Sequence, residues 1–154
     1  MPHIHDKIDF TVEVFVVHNN KVLLRKHDKY KIWLSIGGHI ELEDDPNEAA
    51  IREVKEEVGL DIELFSPINI PNPSDKNYKE LITPFYLNRH KINDNHEHVT
   101  LVYFAKAFSN ELILSDKEIT EDCRWFSKEE LDKEELKENV RFYANKALKV
   151  LELT

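Results

Sequence analysis

Apolar and polar side chains alternate over residues 10–17, FTVEVFVV, and β-branched residues dominate the stretch. That period of two predicts a strand with one buried face. Asn19 and Asn20 then offer a tight turn, and residues 21–25 return as the second strand of a hairpin. Residues 33–36 read as a short strand running into the glycine pair Gly37-Gly38. Further on, residues 61–70 form an extended run, and 71–80, PNPSDKNYKE, a polar loop. Two more strands are expected over 81–89 and 99–108, separated by the turn-rich KINDN, and a last one over 123–126.

Between these strands the period changes to that of a helix. Asp45 can cap it, Pro46 suits the first helical position, and Glu48 completes a capping box. Gly59 supplies the left-handed residue that ends it, with Leu60 as the accompanying apolar contact. The spacing therefore predicts a helix over about 46–58. Ala50, Ile51, Val54 and Val58 would dock it on a core. Ser127 to Glu130 gives a second capping box, and Val140, Tyr143, Ala147, Val150 and Leu151 repeat with helical period near the end. Strands surround one internal helix and helical segments close the chain, which makes an α+β arrangement.

The internal helix carries an unusual charge pattern. At 100° per residue, Glu56 lies about 60° to one side of Glu53 and Glu57 about 40° to the other. Three carboxylates thus share one narrow arc. Two unit charges about 4 Å apart repel by about 4 kcal/mol at an effective dielectric near 20. A bound divalent cation resolves that conflict, and hard oxygen donors suit Mg2+ or Mn2+ rather than zinc. Magnesium commonly binds through a few carboxylates plus substrate phosphates, so the pattern points to phosphoryl or pyrophosphate chemistry. Read one residue at a time, these side chains would be a solvated acidic face with an Arg52–Glu56 pair. The whole pattern has a chance probability on the order of 10⁻⁸ per starting position.

Gly38, Arg52, Glu53, Val54, Glu56, Glu57, Gly59 and Leu60 fall on the signature box of the Nudix hydrolases, G-x5-E-x7-R-E-U-x-E-E-x-G-U with U apolar. Residues 38–60 resemble that box closely. Two positions depart from it: Asp44 stands where the first glutamate belongs, and Ile36 where many members have proline. The resemblance implies an αβα sandwich, with a mixed β-sheet between helices, and one Nudix domain over 1–154. It also implies hydrolysis of a nucleoside diphosphate linked to a group X by metal-activated water, with Mg2+ as the cofactor and Mn2+ as a substitute. Under it the metal ligands are Glu53, Glu56, Glu57 and the backbone carbonyl of Gly37. Asp44 braces the loop before the helix, and Glu41 can do the same. Arg52 orients the glutamates through charge-assisted hydrogen bonds.

Family members differ in the general base. Some use a box glutamate, here Glu53 or Glu56; others use an acidic residue from a loop before a late strand. In this chain that loop is SDKEITEDCRW, with Glu118 first and Glu121 second, and Glu97 a weaker option. Arg25 is a candidate phosphate ligand, with Lys26, His27 and Lys31 nearby, although solvated surface is the ordinary place for each. Trp33, Tyr30 and Phe85 could stack on a base, against the commoner role of strand aromatics as core. His96 and His98 alternate at a strand start and share a face, but no third ligand has matching spacing. They read as strand-edge histidines.

The chain is 154 residues long, enough for a sizeable core. Its formal charge of −9 argues against a general nucleic-acid surface and leaves metal ions and a few basic side chains to attract a phosphate substrate. No apolar run approaches a membrane span, and no secretory pattern opens the chain, so a cytoplasmic protein is expected. The single Cys123 excludes an internal disulfide and reads as a packing residue. A homodimer is common in the resembled family. A nucleotide-binding module that no longer cleaves is the alternative function, although the intact glutamate set speaks against it. A Nudix isomerase is a third, for which the chain has no evident cysteine-based site.

Overall fold

A computed structural model describes residues 6–27, 31–72, 75–114 and 120–152, with Thr120 and Glu121 described by their backbone alone. In chain order the elements are β1 (Ile8–His18), β2 (Lys21–His27), β3 (Trp33–Leu34), β4 (Ile36–His39), α1 (Pro46–Val58) and β5 (Ile62–Leu64). They continue with β6 (Tyr86–Asn93), β7 (His96–Ala107), β8 (Thr120–Phe126), α2 (Lys128–Lys133) and α3 (Glu138–Leu151).

The strands form one mixed sheet, and its centre is the parallel pair β1–β7. All the other pairings are antiparallel. β4 and β2 share the remaining edge of β1, β6 and β5 that of β7, and β3 and β8 flank β2. The β1–β2 hairpin turns on Asn19 (φ 48°) and Asn20 (φ 60°), the left-handed pair that a two-residue turn needs.

Alternation along the central strands feeds two cores. Val12, Val14 and Val16 of β1 and Tyr103 and Ala105 of β7 pack under Ala49, Ala50, Val54 and Val58 of α1. Phe15 and Val17 of β1 and Val102 and Phe104 of β7 pack on the opposite face, against Val140, Tyr143, Ala144 and Ala147 of α3 and Leu131 of α2. This is the α+β sandwich expected, with helices on both faces of the sheet.

α1 occupies the predicted residues. Asp45 caps it and forms the reciprocal box with Glu48, and Gly59 (φ 74°) ends it in the left-handed region. Ser127 likewise caps α2 with Glu130. Four details differ from expectation. Ile51 is 44% exposed, and Ala49 takes its place in the core. Of the run 61–70 only Ile62–Leu64 pairs, at the end of β7. The segment 33–36 divides into β3, on β2, and the start of β4, on β1. β6 begins at Tyr86 rather than near 81.

Candidate active site

β4 and α1 build the site. β4 lies along β1, with Gly37 opposite Glu13 and Gly38 opposite Val12, and delivers the glycine pair beneath the helix. Neither glycine has a positive φ; close approach is what excludes a side chain. A Cβ at Gly38 would lie 2.5 Å from the Glu53 carboxylate, and one at Gly37 would lie 2.2 Å from the Val12 carbonyl oxygen. The main chain at Gly38 is therefore pressed against a carboxylate that is itself buried.

Glu53 is 3% exposed and Glu57 7% exposed. Glu56 is different, with 62% of its side chain open to solvent. Arg52 joins the parts. Its Nε donates to Asp44 Oδ2 at 3.0 Å, one terminal nitrogen to Glu53 Oε1 at 3.0 Å and Glu56 Oε2 at 3.4 Å, and the other to the His39 carbonyl at 3.2 Å. Glu41 lies 3.8 Å from the same guanidinium. Burial alone would lower the Arg52 pKa, but the hydrogen bond to Asp44 and the charge and hydrogen bond of Glu53 outweigh it and raise it. The shorter Asp44 thus makes the bracing contact despite its lost methylene.

From β2, Arg25 reaches the other end of the cluster, with Nε 3.6 Å from Glu57 Oε2. Among the described residues, five carboxylates (Glu41, Asp44, Glu53, Glu56 and Glu57) meet two guanidiniums here. The excess is negative, part of it is buried, and every donor is a hard oxygen. Such a set fits Mg2+ or Mn2+. The cradle at Gly38, which a Cβ would fill, adds main chain close to the same carboxylate.

The structure does not bring every candidate to this place. Trp33 is 3% exposed in the α3-side core, where its ring meets Phe126 edge-on at 4.9 Å and its Nε1 donates to Glu134 at 3.2 Å. It is a core residue on the far face, so stacking on a substrate base is corrected to packing. Phe85 stacks on Phe104 in the same layer. Glu97 pairs with Arg89 across β6 and β7, and that hydrogen bond holds its carboxyl below the usual range. Tyr30 and Glu118 lie outside the described residues, as does the side chain of Glu121. Cys123 sits opposite Arg25 in the β2–β8 pairing, and burial pushes its thiol up to about 12. At neutral pH it is a protonated packing group and not a nucleophile.

One acid is invisible in the sequence pattern. Glu13 accepts from Ser35 Oγ at 2.7 Å beside Gly37, and burial raises its carboxyl above the ordinary value despite that hydrogen bond. A lone polar position within an alternating strand gives no signal of it.

A profile of the Nudix domain matches residues 8–146. The chain belongs to the Nudix family. A crystal structure of a Nudix-family hydrolase from Clostridium perfringens is 38% identical to it, with a TM-score of 0.81 over 93% of this chain and 97% of that one. A MutT Nudix hydrolase from Burkholderia pseudomallei (21% identity, TM-score 0.67, covering 95% of this chain and 99% of that one) shares the fold. So does a MutT protein from Methanosarcina mazei Go1, at 15% identity and TM-score 0.67 over 98% and 99% of the two chains. No curated protein matches the chain. This Nudix hydrolase is a pyrophosphohydrolase acting on acid anhydrides. No helix among its described residues is long and apolar enough to cross a membrane.

Proposed function

We propose that this Nudix hydrolase cleaves the pyrophosphate linkage of a nucleoside diphosphate bound to X, in a nucleoside triphosphate or an ADP-ribose-like compound, and depends on Mg2+ or Mn2+. The observation that carries the reading is the pair of buried carboxylates on α1, Glu53, which Arg52 holds against the glycine strand, and Glu57, which faces Arg25. Glu53, Glu56, Glu57 and the Gly37 carbonyl would hold the cation, which when bound supplies charge neutralisation at the phosphoryl oxygens and a more acidic water.

The chain's own groups do the rest. Arg52 fixes the rotamer of Glu53 and ties the helix to β4 at the His39 carbonyl, so the carboxylates are positioned before substrate arrives. Glu56, mostly exposed and hydrogen-bonded only at 3.4 Å by Arg52, has the freedom to take a proton from an attacking water. Glu53 is the other box glutamate that could serve as base, and Glu118 the loop alternative. Arg25, whose Nε lies 3.6 Å from Glu57 Oε2, would meet a phosphate oxygen there.

The test is a hydrolysis panel of nucleoside triphosphates, ADP-ribose, nucleotide sugars and dinucleoside polyphosphates with Mg2+ or Mn2+, following the phosphate products. Turnover should need the cation and fall by at least about 10²-fold in Glu57→Gln. Turnover that is unchanged in that variant would overturn the metal assignment.

A further inference from the structure

His96 and His98 meet further donors in the folded protein. β1 runs parallel to β7 with Asp9 directly opposite His98, and β4 brings His39 alongside β1. A carboxylate oxygen of Asp9 and one ring nitrogen each from His39 and His98 lie within 4.8 Å of one another. His96 joins from the start of β7, with Nε2 3.4 Å from Asp9 Oδ2; His39 Nε2 is 3.2 Å from the same oxygen. The His98 ring stands edge-on to those of His39 and His96, at 5.2 and 5.1 Å between centroids. The four groups come from three adjacent strands, on the sheet face that carries α3, whereas the box glutamates project from α1 over the other.

The orientation of His96 is what marks this cluster. His96 Nδ1 lies 3.1 Å from the Asp6 carbonyl. A carbonyl oxygen only accepts, so Nδ1 carries a hydrogen and Nε2 is the nitrogen turned towards Asp9 Oδ2, which His39 Nε2 also approaches. A backbone carbonyl holding Nδ1–H is the arrangement that orients a histidine towards a metal through Nε2.

We propose that Asp9, His39 and His98, with His96 as the fourth donor, form a transition-metal site of the zinc class, separate from the box glutamates. Three imidazoles and one carboxylate are zinc-type donors, and the set has too few oxygens for magnesium. Zinc bonds of about 2.0–2.2 Å arranged tetrahedrally separate neighbouring donors by about 3.3 Å. The approaches of His39 and His96 to Asp9 Oδ2, 3.2 and 3.4 Å, are of that length, and the donor of His98 comes within 4.8 Å of those of Asp9 and His39. Asp9 and His96 are almost wholly buried, while His39 and His98 remain partly open and give a route in. A metal there would pin β4, and with it the glycine pair, to β1 and β7.

The experiment needs no substrate and does not depend on the proposed activity. Chelator-stripped protein is titrated with Co2+ in excess Mg2+, which keeps the box glutamates occupied, and the bound Co2+ is then displaced with Zn2+. One equivalent should give the intense visible bands of four-coordinate Co2+, bleached by Zn2+, with the same result in Glu57→Gln. Zn2+ should also raise the melting temperature of the stripped wild-type protein. His98→Gln, at a half-buried position, should weaken Zn2+ binding about 100-fold or more while its circular dichroism stays that of the wild type. The proposal is overturned if wild-type protein binds neither ion beyond what Glu57→Gln abolishes. Zn2+ binding at wild-type affinity in His98→Gln overturns it equally. The wild-type titration decides even if a variant fails to fold.

Discussion

The adjacent glycines 37 and 38 should respond to the same substitution in opposite ways. In Gly38→Ala the new Cβ arrives 2.5 Å from the Cδ and Oε1 of Glu53 and 2.7 Å from its Oε2. Carbon atoms rest about 3.5–4.0 Å apart, so the carboxylate must retreat by about 1 Å. It is the end of a rotatable side chain, and moving it costs only about 1 kcal/mol of stability, or about 2–4 °C in Tm. Displacing a positioned group by that much costs about 10²-fold in turnover. In Gly37→Ala the obstacles are main chain, the Val12 carbonyl oxygen at 2.2 Å and the Glu13 Cα at 3.1 Å. β4 must then part from β1, at a cost of about 1–3 kcal/mol or more. Thermal melts by circular dichroism, together with steady-state hydrolysis in Mg2+, separate the two effects. Wild-type kcat in Gly38→Ala, or a larger loss of Tm there than in Gly37→Ala, would refute the reasoning.

Other substitutions probe the surrounding groups. Trp33→Phe should lower stability by about 1–3 kcal/mol through lost packing and the lost Glu134 hydrogen bond, while KM stays within about twofold; a large rise in KM would return Trp33 to the substrate. Cys123, its thiol pushed up to about 12, should resist alkylation by iodoacetamide in the folded protein at neutral pH, and Cys123→Ala should keep full turnover. Rapid labelling of the native protein would contradict that. Because burial raises the Glu13 pKa in the folded state, its contribution to stability is complete below about 4.5 and is lost as pH rises through the folded value. Glu13→Gln should therefore melt above the wild type near neutral pH, with the difference shrinking on acidification; a difference independent of pH would count against it.

Local signals make α1 legible in the sequence itself. Asp45, Pro46, Glu48 and Gly59 punctuate it by contacts within a turn of the chain, so both ends and the arc of glutamates can be read directly. The Asn19-Asn20 hairpin is legible for the same reason. Strand pairing is not. Nothing near Trp33 says that it faces α3, because β3 and β4 part company onto different neighbours at Ser35. The missing third ligand for His96 and His98 is similarly out of reach. Asp9 and His39 lie far away in sequence, and only the parallel β1–β7 register and the return of β4 put them beside those rings. Ile51 shows the weakness of periodicity at a helix flank, where one position of rotation decides between core and solvent.

The parallel pair at the centre of the sheet also limits how this fold can change length. Each of β1 and β7 hands successive side chains to opposite layers, so a single residue inserted into either would trade the valines beneath α1 for the aromatics beneath α3. Both layers would be lost together, and no compensating shift of one helix could restore them. Changes of length are therefore left to the connections, such as the stretch between β5 and β6, and to the outer strands, where β2–β8 and β6–β7 already shift register. The register of the two central strands stays frozen.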